Sequence, residues 1–241
     1  MKGFIDLHCH VVPAVDDGVK TVEESVELCR GLRELGFTKV VTTPHIRTVM
    51  FPNTADGLRA AFERLMHELH ELPGLPELGL GAEHYVDDVV LGWLAQGDGL
   101  EYPGGHCALV ELPPRRFPLG LAQRFFQLRV RGLRPVLAHP ERYAPLFKST
   151  DALDPLLDAG ALPLLDLMSL VGRYGRRPRR AAERMLEQGV YYGAASDAHR
   201  PKDLSKVAEG IERLEQLVGP EEARELLHDG PRNILAGSID D

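Results

Sequence analysis

The sequence predicts an α/β fold in which parallel strands, most of them followed by a helix, close into a barrel. Three observations lead there. Strand-like runs alternate with helical patterns along the chain. Six of those runs, Gly3-Phe4-Ile5, Lys39-Val40-Val41, Leu78-Gly79-Leu80, Ala108-Leu109-Val110, Arg134-Pro135-Val136-Leu137 and Tyr191-Tyr192-Gly193-Ala194, stop at a short motif of His, Asp or Glu. In a parallel barrel the C-terminal strand ends gather at one face, where active sites form. Finally, 241 residues with 44% hydrophobic content suit a single domain over 1–241, since such barrels span roughly 200–250 residues.

Taken in order, the elements are a strand at 3–8, a helix from Thr21 to Leu35, a strand at 38–42 and a helix from Thr54 to Glu71. Thr21-Val22-Glu23-Glu24 has the form of a capping box, and Gly36 stops the first helix. Leu72-Pro73-Gly74-Leu75-Pro76 is a turn. A third strand at 78–82 and a helix from Asp87 to Leu94 follow. Strands at 107–111, 134–138, 162–166 and 190–195 are preceded by a glycine-rich loop and by helices near 119–131, 150–159 and 178–188. Helices near 203–217 and 220–228 finish the chain.

Composition excludes several classes. A formal charge of −8 and a pI near 5.7 argue against a general nucleic-acid binder, which needs clustered Lys and Arg. No apolar run approaches the ~20 residues that span a bilayer, and no signal segment opens the chain, so the expected location is cytoplasmic without membrane insertion. Cys9, Cys29 and Cys107 form no CxxC pair, as suits a reducing compartment. None has an arginine six residues later, where a cysteine-dependent phosphatase would carry one. Cys9 lies between His8 and His10, and strand alternation turns it away from them.

The polar motifs supply a ligand inventory: Asp6-Leu7-His8-Cys9-His10, Asp16-Asp17-Gly18, Thr43-Pro44-His45, Gly81-Ala82-Glu83, Val110-Glu111-Leu112, Ala138-His139-Pro140-Glu141-Arg142 and Ser196-Asp197-Ala198-His199. His8 and His10, two apart on extended backbone, face the same way and are able to chelate one ion. Imidazole and carboxylate without thiolate suit Mn, Fe or Zn. A carboxylate such as Glu83 is suited to bridging two ions ~3.5–4 Å apart. Each carboxylate taken alone could instead cap a helix. His67, Glu68 and His70 read as surface, and His84, His106 and His228 show no evident partner.

These motifs, in this order and across nearly the whole chain, resemble the polymerase-and-histidinol-phosphatase (PHP) superfamily. Within it the chain is most similar to the bacterial manganese-dependent protein-tyrosine phosphatases of capsule and exopolysaccharide operons, the CpsB/YwqE type. Phe4 to His10 through Val15-Asp16-Asp17-Gly18, Ala138 to Tyr143, and Ser169-Leu170-Val171-Gly172-Arg173-Tyr174-Gly175 carry the subfamily likeness.

The resemblance implies a distorted seven-stranded parallel β/α barrel, PHP and TIM-like, with three divalent metal ions, Mn expected and Fe or Zn as alternatives. His8, His10, Glu83 and Asp197 would surround one ion, Glu83, Glu111 and His139 a second, and Asp17, His45 and His199 a third. Arg142 matches an arginine near the phosphate, where a planar guanidinium grips two oxygens; an ion pair with Glu141 or a neighbouring carboxylate is its structural alternative. Arg47 and Arg200 are further phosphate candidates. The implied substrate is phosphotyrosine on an autophosphorylating bacterial tyrosine kinase tail. A histidinol-phosphate or other small-molecule phosphatase and a non-catalytic metal-bound module are the alternatives.

Two departures from the family pattern stand out: Arg200-Pro201 follows His199 directly, and Asp166 closes its strand where the family tends to carry Gln-x-Asn. Asp166, read as a solvated strand end or a supporting group, stays outside the expected site. Arg173, Arg176, Arg177, Arg179 and Arg180 form one basic patch in an acidic chain, either a solvated helix face or a dock for an acidic phosphotyrosine tail.

Overall fold

The computed structural model describes residues 2–239. Its strands are β1 (Phe4–Asp6), β2 (Phe37–Thr42), β3 (His45–Ile46), β4 (Glu77–Leu80), β5 (Glu83–Tyr85), β6 (Cys107–Glu111), β7 (Arg134–Ala138), β8 (Leu162–Asp166) and β9 (Gly193–Ala195). The helices are α1 (Val22–Glu34), α2 (Ala55–Leu69), α3 (Asp88–Gln96), α4 (Leu121–Val130), α5 (Asp154–Asp158), α6 (Arg176–Glu187), α7 (Leu204–Arg224) and α8 (Gly230–Ala236).

All strand pairs are parallel, and they form two sheets, β1-β2-β4 and β3-β5-β6-β7-β8-β9. The expected seven-stranded closed barrel is therefore corrected: the described residues show nine strands and no closed barrel. The reason is local. The second expected strand, 38–42, ends at Thr42 as read, the ladder stops at Thr43-Pro44, where proline offers no N–H, and pairing resumes in an additional short strand at His45. The third breaks at Gly81-Ala82, where Gly81 N donates back to Thr42 O (2.9 Å) and Ala82 N to Leu100 O (3.1 Å). Both breaks deliver a site residue, His45 or Glu83, at the first position of the resumed strand, and the two pair in register. Between the segments after β1 and β9, Asp197 N donates to His8 O (2.8 Å) and His10 N to Ala198 O (3.0 Å).

Helix starts follow the expected capping chemistry. Thr21 accepts from Glu24 N, but the Glu24 carboxylate reaches Lys20 N (2.6 Å), one residue earlier than a standard capping box. Thr54 caps α2, which buries Ala55, Leu58, Ala61, Leu65 and Leu69 along one stripe. The tail breaks where expected, between the helices read at 203–217 and 220–228, and runs on further than expected. Gly219 (φ 83) and Pro220 kink α7, a π-helical turn spans Glu225–Asp229, and α8 continues to Ala236.

Strand alternation divides the interior. Cys107, Leu109, Val136, Ala138, Leu162 and Leu164 pack in one cluster between the sheets, while Ala108, Val110, Leu137 and Leu165 pack under the helices. With a period of two, Glu111 and Asp166 continue the first set at the C-terminal strand ends. The apolar face of these strands thus runs directly into the polar cluster. Cys9, Cys29 and Cys107 are buried and free, and burial pushes the Cys29 and Cys107 thiols up to about 12.

Candidate metal centre and its relatives

The ligand inventory converges. Among the described residues, donor atoms of His10, Asp17, His45 and His199 lie within 4.8 Å of one another, as do those of His8, His10 and Asp197, of His8, Glu83 and His139, and of His45, Glu83 and Glu111. All nine expected residues fall within these groups. The grouping differs in detail from the expected partition: His10 also reaches the Asp17 group, and Glu111 lies with His45 and Glu83.

Glu83 is the hub. Its Oε2 stands 3.1 Å from His8 Nε2 and 3.1 Å from His45 Nδ1, and its Oε1 3.1 Å from His139 Nε2. Asp197 Oδ1 lies 3.1 Å from His8 Nε2 and 3.4 Å from His10 Nε2. Asp17 Oδ1 approaches His45 Nε2 at 3.5 Å and His199 Nε2 at 3.6 Å. Two of the residues sit on left-handed backbone, His139 (φ 34) and Asp197 (φ 48). Non-glycine residues reach that region rarely, and strain of this kind gathers at functional sites.

Supporting groups fix the ligands. Asp16, absent from the expected site although adjacent to Asp17, accepts from Gly18 N (2.9 Å) and His45 N (3.1 Å) and holds His10 Nδ1 at 2.8 Å. That contact turns His10 Nε2 inward, as outer carboxylates do for ligating imidazoles. A Cβ on Gly18 would stand 2.5 Å from His10 Cβ, so only glycine lets this loop close on the histidine. Asp6 anchors the opposite side, accepting from Ser196 N (3.0 Å) and His8 N (3.2 Å). Motif adjacency to Asp17 was the signal for Asp16; Asp6 was visible as the head of the Asp-x-His-x-His run.

Arg142 pairs with neighbouring carboxylates, though not with Glu141. Its Nη1 donates to Asp197 Oδ2 (2.6 Å) and lies 3.5 Å from Asp166 Oδ2, and the guanidinium stacks on Tyr174 at 4.3 Å. Glu141 instead accepts from Asp166 N and Tyr191 OH. Asp166 is buried, not solvated. Arg47 stacks on Tyr85 at 4.0 Å. Arg200 stands apart in kind: its backbone N–H donates to Asp203 Oδ2 (3.0 Å), and its side chain forms no ion pair among the described residues.

The carboxylates of the cluster are shifted in opposite directions. Burial raises Glu83, but His8 and His45 outweigh it and hold the carboxyl well below its usual range. Burial, then the charge of Glu83, pushes Glu111 up to about 8 against the pull of Arg142 and Arg47. Glu111 Oε2 is buried without a hydrogen-bond partner, and His10 Nε2 and His45 Nδ1 face carboxylates at 3.4 and 3.1 Å without hydrogen-bond geometry. Such orphaned nitrogen and oxygen atoms, converging on one point without thiolate, fit divalent ions of the Mn, Fe or Zn kind.

This chain matches, over residues 4–236, the family described as capsular polysaccharide synthesis, CpsB/CapC. The chain belongs to the CpsB/CapC family. Relatives in this family include the tyrosine-protein phosphatase YwqE of Bacillus subtilis, 31% identical over 90% of this chain and 86% of the relative. The tyrosine-protein phosphatase CpsB of Streptococcus pneumoniae is 26% identical over 98% of this chain and 100% of the relative. Among solved structures, one described as belonging to YwqE from Bacillus subtilis and CpsB from Streptococcus pneumoniae, unique metal-dependent tyrosine phosphatases, superposes with a TM-score of 0.86 at 28% identity. It covers 96% of this chain and 94% of its own. A lactonase from Listeria monocytogenes, 13% identical with a TM-score of 0.57, shares the fold alone. No helix among the described residues is long and apolar enough to cross a membrane.

Proposed function

We propose that this chain is a metal-dependent tyrosine-protein phosphatase of a capsule or exopolysaccharide system, acting in the cytoplasm as a single domain on the phosphorylated tail of a bacterial tyrosine kinase. The observation that carries the reading is the Glu83-centred cluster, in which nine His and carboxylate side chains from distant segments converge in a CpsB/CapC chain.

Three divalent ions, Mn first among them, would be held by His8, His10, Asp17, His45, Glu83, Glu111, His139, Asp197 and His199. Bound there, they supply Lewis-acid activation of water and neutralise phosphoryl charge. The chain's own groups do the rest. Arg142, its position set by Asp197, Asp166 and Tyr174, presents donors to the equatorial phosphoryl oxygens, whose charge grows toward the transition state. Arg47 adds a second guanidinium, and Arg200 a third from the loop after His199. Asp16 keeps the imidazole of His10 aligned. A tyrosyl oxygen, with an ordinary pKa of about 10, leaves with less protonic help than an alkoxide. Cysteine takes no part, because burial keeps the thiols protonated.

Kinetics on matched substrates test the reading. With Mn added, a phosphotyrosine peptide is expected to exceed phosphoserine peptide and histidinol phosphate in kcat/KM. A tenfold preference for histidinol phosphate, about 1.4 kcal/mol of transition-state discrimination, would overturn the substrate class and leave the metal site standing.

A further inference from the structure

Beside the Glu83-centred cluster, Arg142, Phe147, Tyr174, Arg176, Arg177 and Pro178 line a cavity of about 450 Å³. One wall is Arg142 stacked on Tyr174, the guanidinium to which the proposed function gives the phosphoryl oxygens. The opposite wall is the first turn of α6, and its charge is of the wrong sign for a helix start. Arg176 and Arg177 open that helix, no acidic residue lies in the turn, and Gly175 gives no side-chain cap. The N-terminal dipole end disfavours cations, so these arginines do not serve the helix.

Nor do they serve neighbouring acids. Arg173 is within 3.5 Å of Asp203, and Arg179 bonds Glu183 at 3.2 Å. Arg176 and Arg177 are exposed and form no ion pair among the described residues. In a chain with eight more acidic than basic charges, two unneutralised guanidiniums over a cavity that Arg142 also lines are a local inversion of charge.

We propose that this cavity is a subsite for an anionic residue flanking the phosphotyrosine, so that the enzyme selects acidic or multiply phosphorylated tyrosine segments. The inference rests on the phosphatase reading and narrows its substrate. An extended peptide advances about 3.3 Å per residue, which brings a residue next to a phosphotyrosine held at Arg142 over the cavity mouth. There Arg176 and Arg177 meet its negative charge, and the Phe147 and Tyr174 rings give an aromatic floor to a second tyrosyl ring. Carboxylate and phosphate share this anion chemistry, and the test separates them.

Metal-loaded enzyme is assayed with p-nitrophenyl phosphate and with three phosphotyrosine peptides of one length: neutral flanks, glutamate flanks, and a second phosphotyrosine. The readout is the ratio of kcat/KM for an anionic peptide to that for the neutral one, within each protein, so changes in folding or metal content cancel. Wild type is expected to favour an anionic peptide by about 3- to 10-fold, through KM, with the preference shrinking as salt rises. Arg176→Gln combined with Arg177→Gln, a change that relieves the helix start, is expected to bring the ratio to about one. Preference for glutamate flanks assigns a carboxylate subsite, and preference confined to the doubly phosphorylated peptide assigns a phosphate one. Equal rates on all three peptides in wild type, or a ratio unmoved in the double variant, would overturn the subsite. Wild type inactive toward p-nitrophenyl phosphate as well would instead sink the phosphatase reading beneath it.

Discussion

At the residue scale, Arg142 and His139 separate phosphate binding from metal assembly. Arg142 donates to Asp197 and stacks on Tyr174, so its guanidinium arrives pre-aimed. Arg142→Ala is expected to lower kcat/KM by about 10- to 150-fold, the worth of one charge-assisted contact of roughly 1.5–3 kcal/mol. Arg142→Lys should recover only part, since an ammonium has no planar fork. Steady-state kinetics with unchanged values in Arg142→Ala would leave it no role. His139 meets Glu83 at 3.1 Å from left-handed backbone. His139→Gly removes the imidazole at the least backbone cost, and elemental analysis should find lost metal with turnover down by more than about 100-fold, beyond a typical supporting-residue loss. Full metal content with near-normal turnover would take His139 out of the site.

At the element scale, β5 carries both Glu83 and His84, facing opposite ways, and the second supports the first. His84 is buried, accepts from Leu100 N at Nε2 (3.1 Å) and faces Leu109 O with Nδ1 (2.9 Å), which sets a neutral, Nδ1-protonated ring. Burial, opposed in part by the Leu109 contact, lowers its pKa to about 4 from an ordinary 6.5. A neutral folded ring and a protonating unfolded one mean that its contribution is complete above pH 6.5. It is lost as pH falls toward 4, by an amount on the order of 3 kcal/mol. Denaturant unfolding of metal-free protein should therefore show the stability gap between wild type and His84→Gln narrowing from pH 7 to 4.5. A gap independent of pH would contradict the neutral-ring assignment.

That element also shows what a sequence conceals. Strands at 107–111, 134–138 and 162–166 were legible to the residue, because each is a short β-rich run bounded by turn residues and ended by a polar motif. The splits at Pro44 and Gly81 were not, since two- and three-residue strands have no periodicity to read. His84 had no visible partner because its partners are backbone atoms at Leu100 and Leu109, which carry no residue-type signal. Asp166 read equally as a supporting group or as a strand end open to water; its burial, which decides against the second, depends on Glu141, Arg142 and Tyr174 arriving from other segments. The residues that converge were legible through their motifs, whereas their grouping depended on how the loops fold back.

At the scale of the whole molecule, the parallel sheets place one end of their strands around a buried group of carboxylates and imidazoles, with orphaned atoms and a carboxyl pushed up to about 8 at Glu111. A cluster so charged is most stable with cations in it, which ties folding, metal content and activity together. The three buried thiols lie outside this economy. The most direct measurement is phosphotyrosine-peptide hydrolysis by one preparation before chelation, after exhaustive chelation, after Mn is restored, and after thiol alkylation of the loaded form. Activity lost on chelation, regained with Mn and indifferent to alkylation is the predicted result; full activity in the stripped protein, or abolition by alkylation, would contradict it.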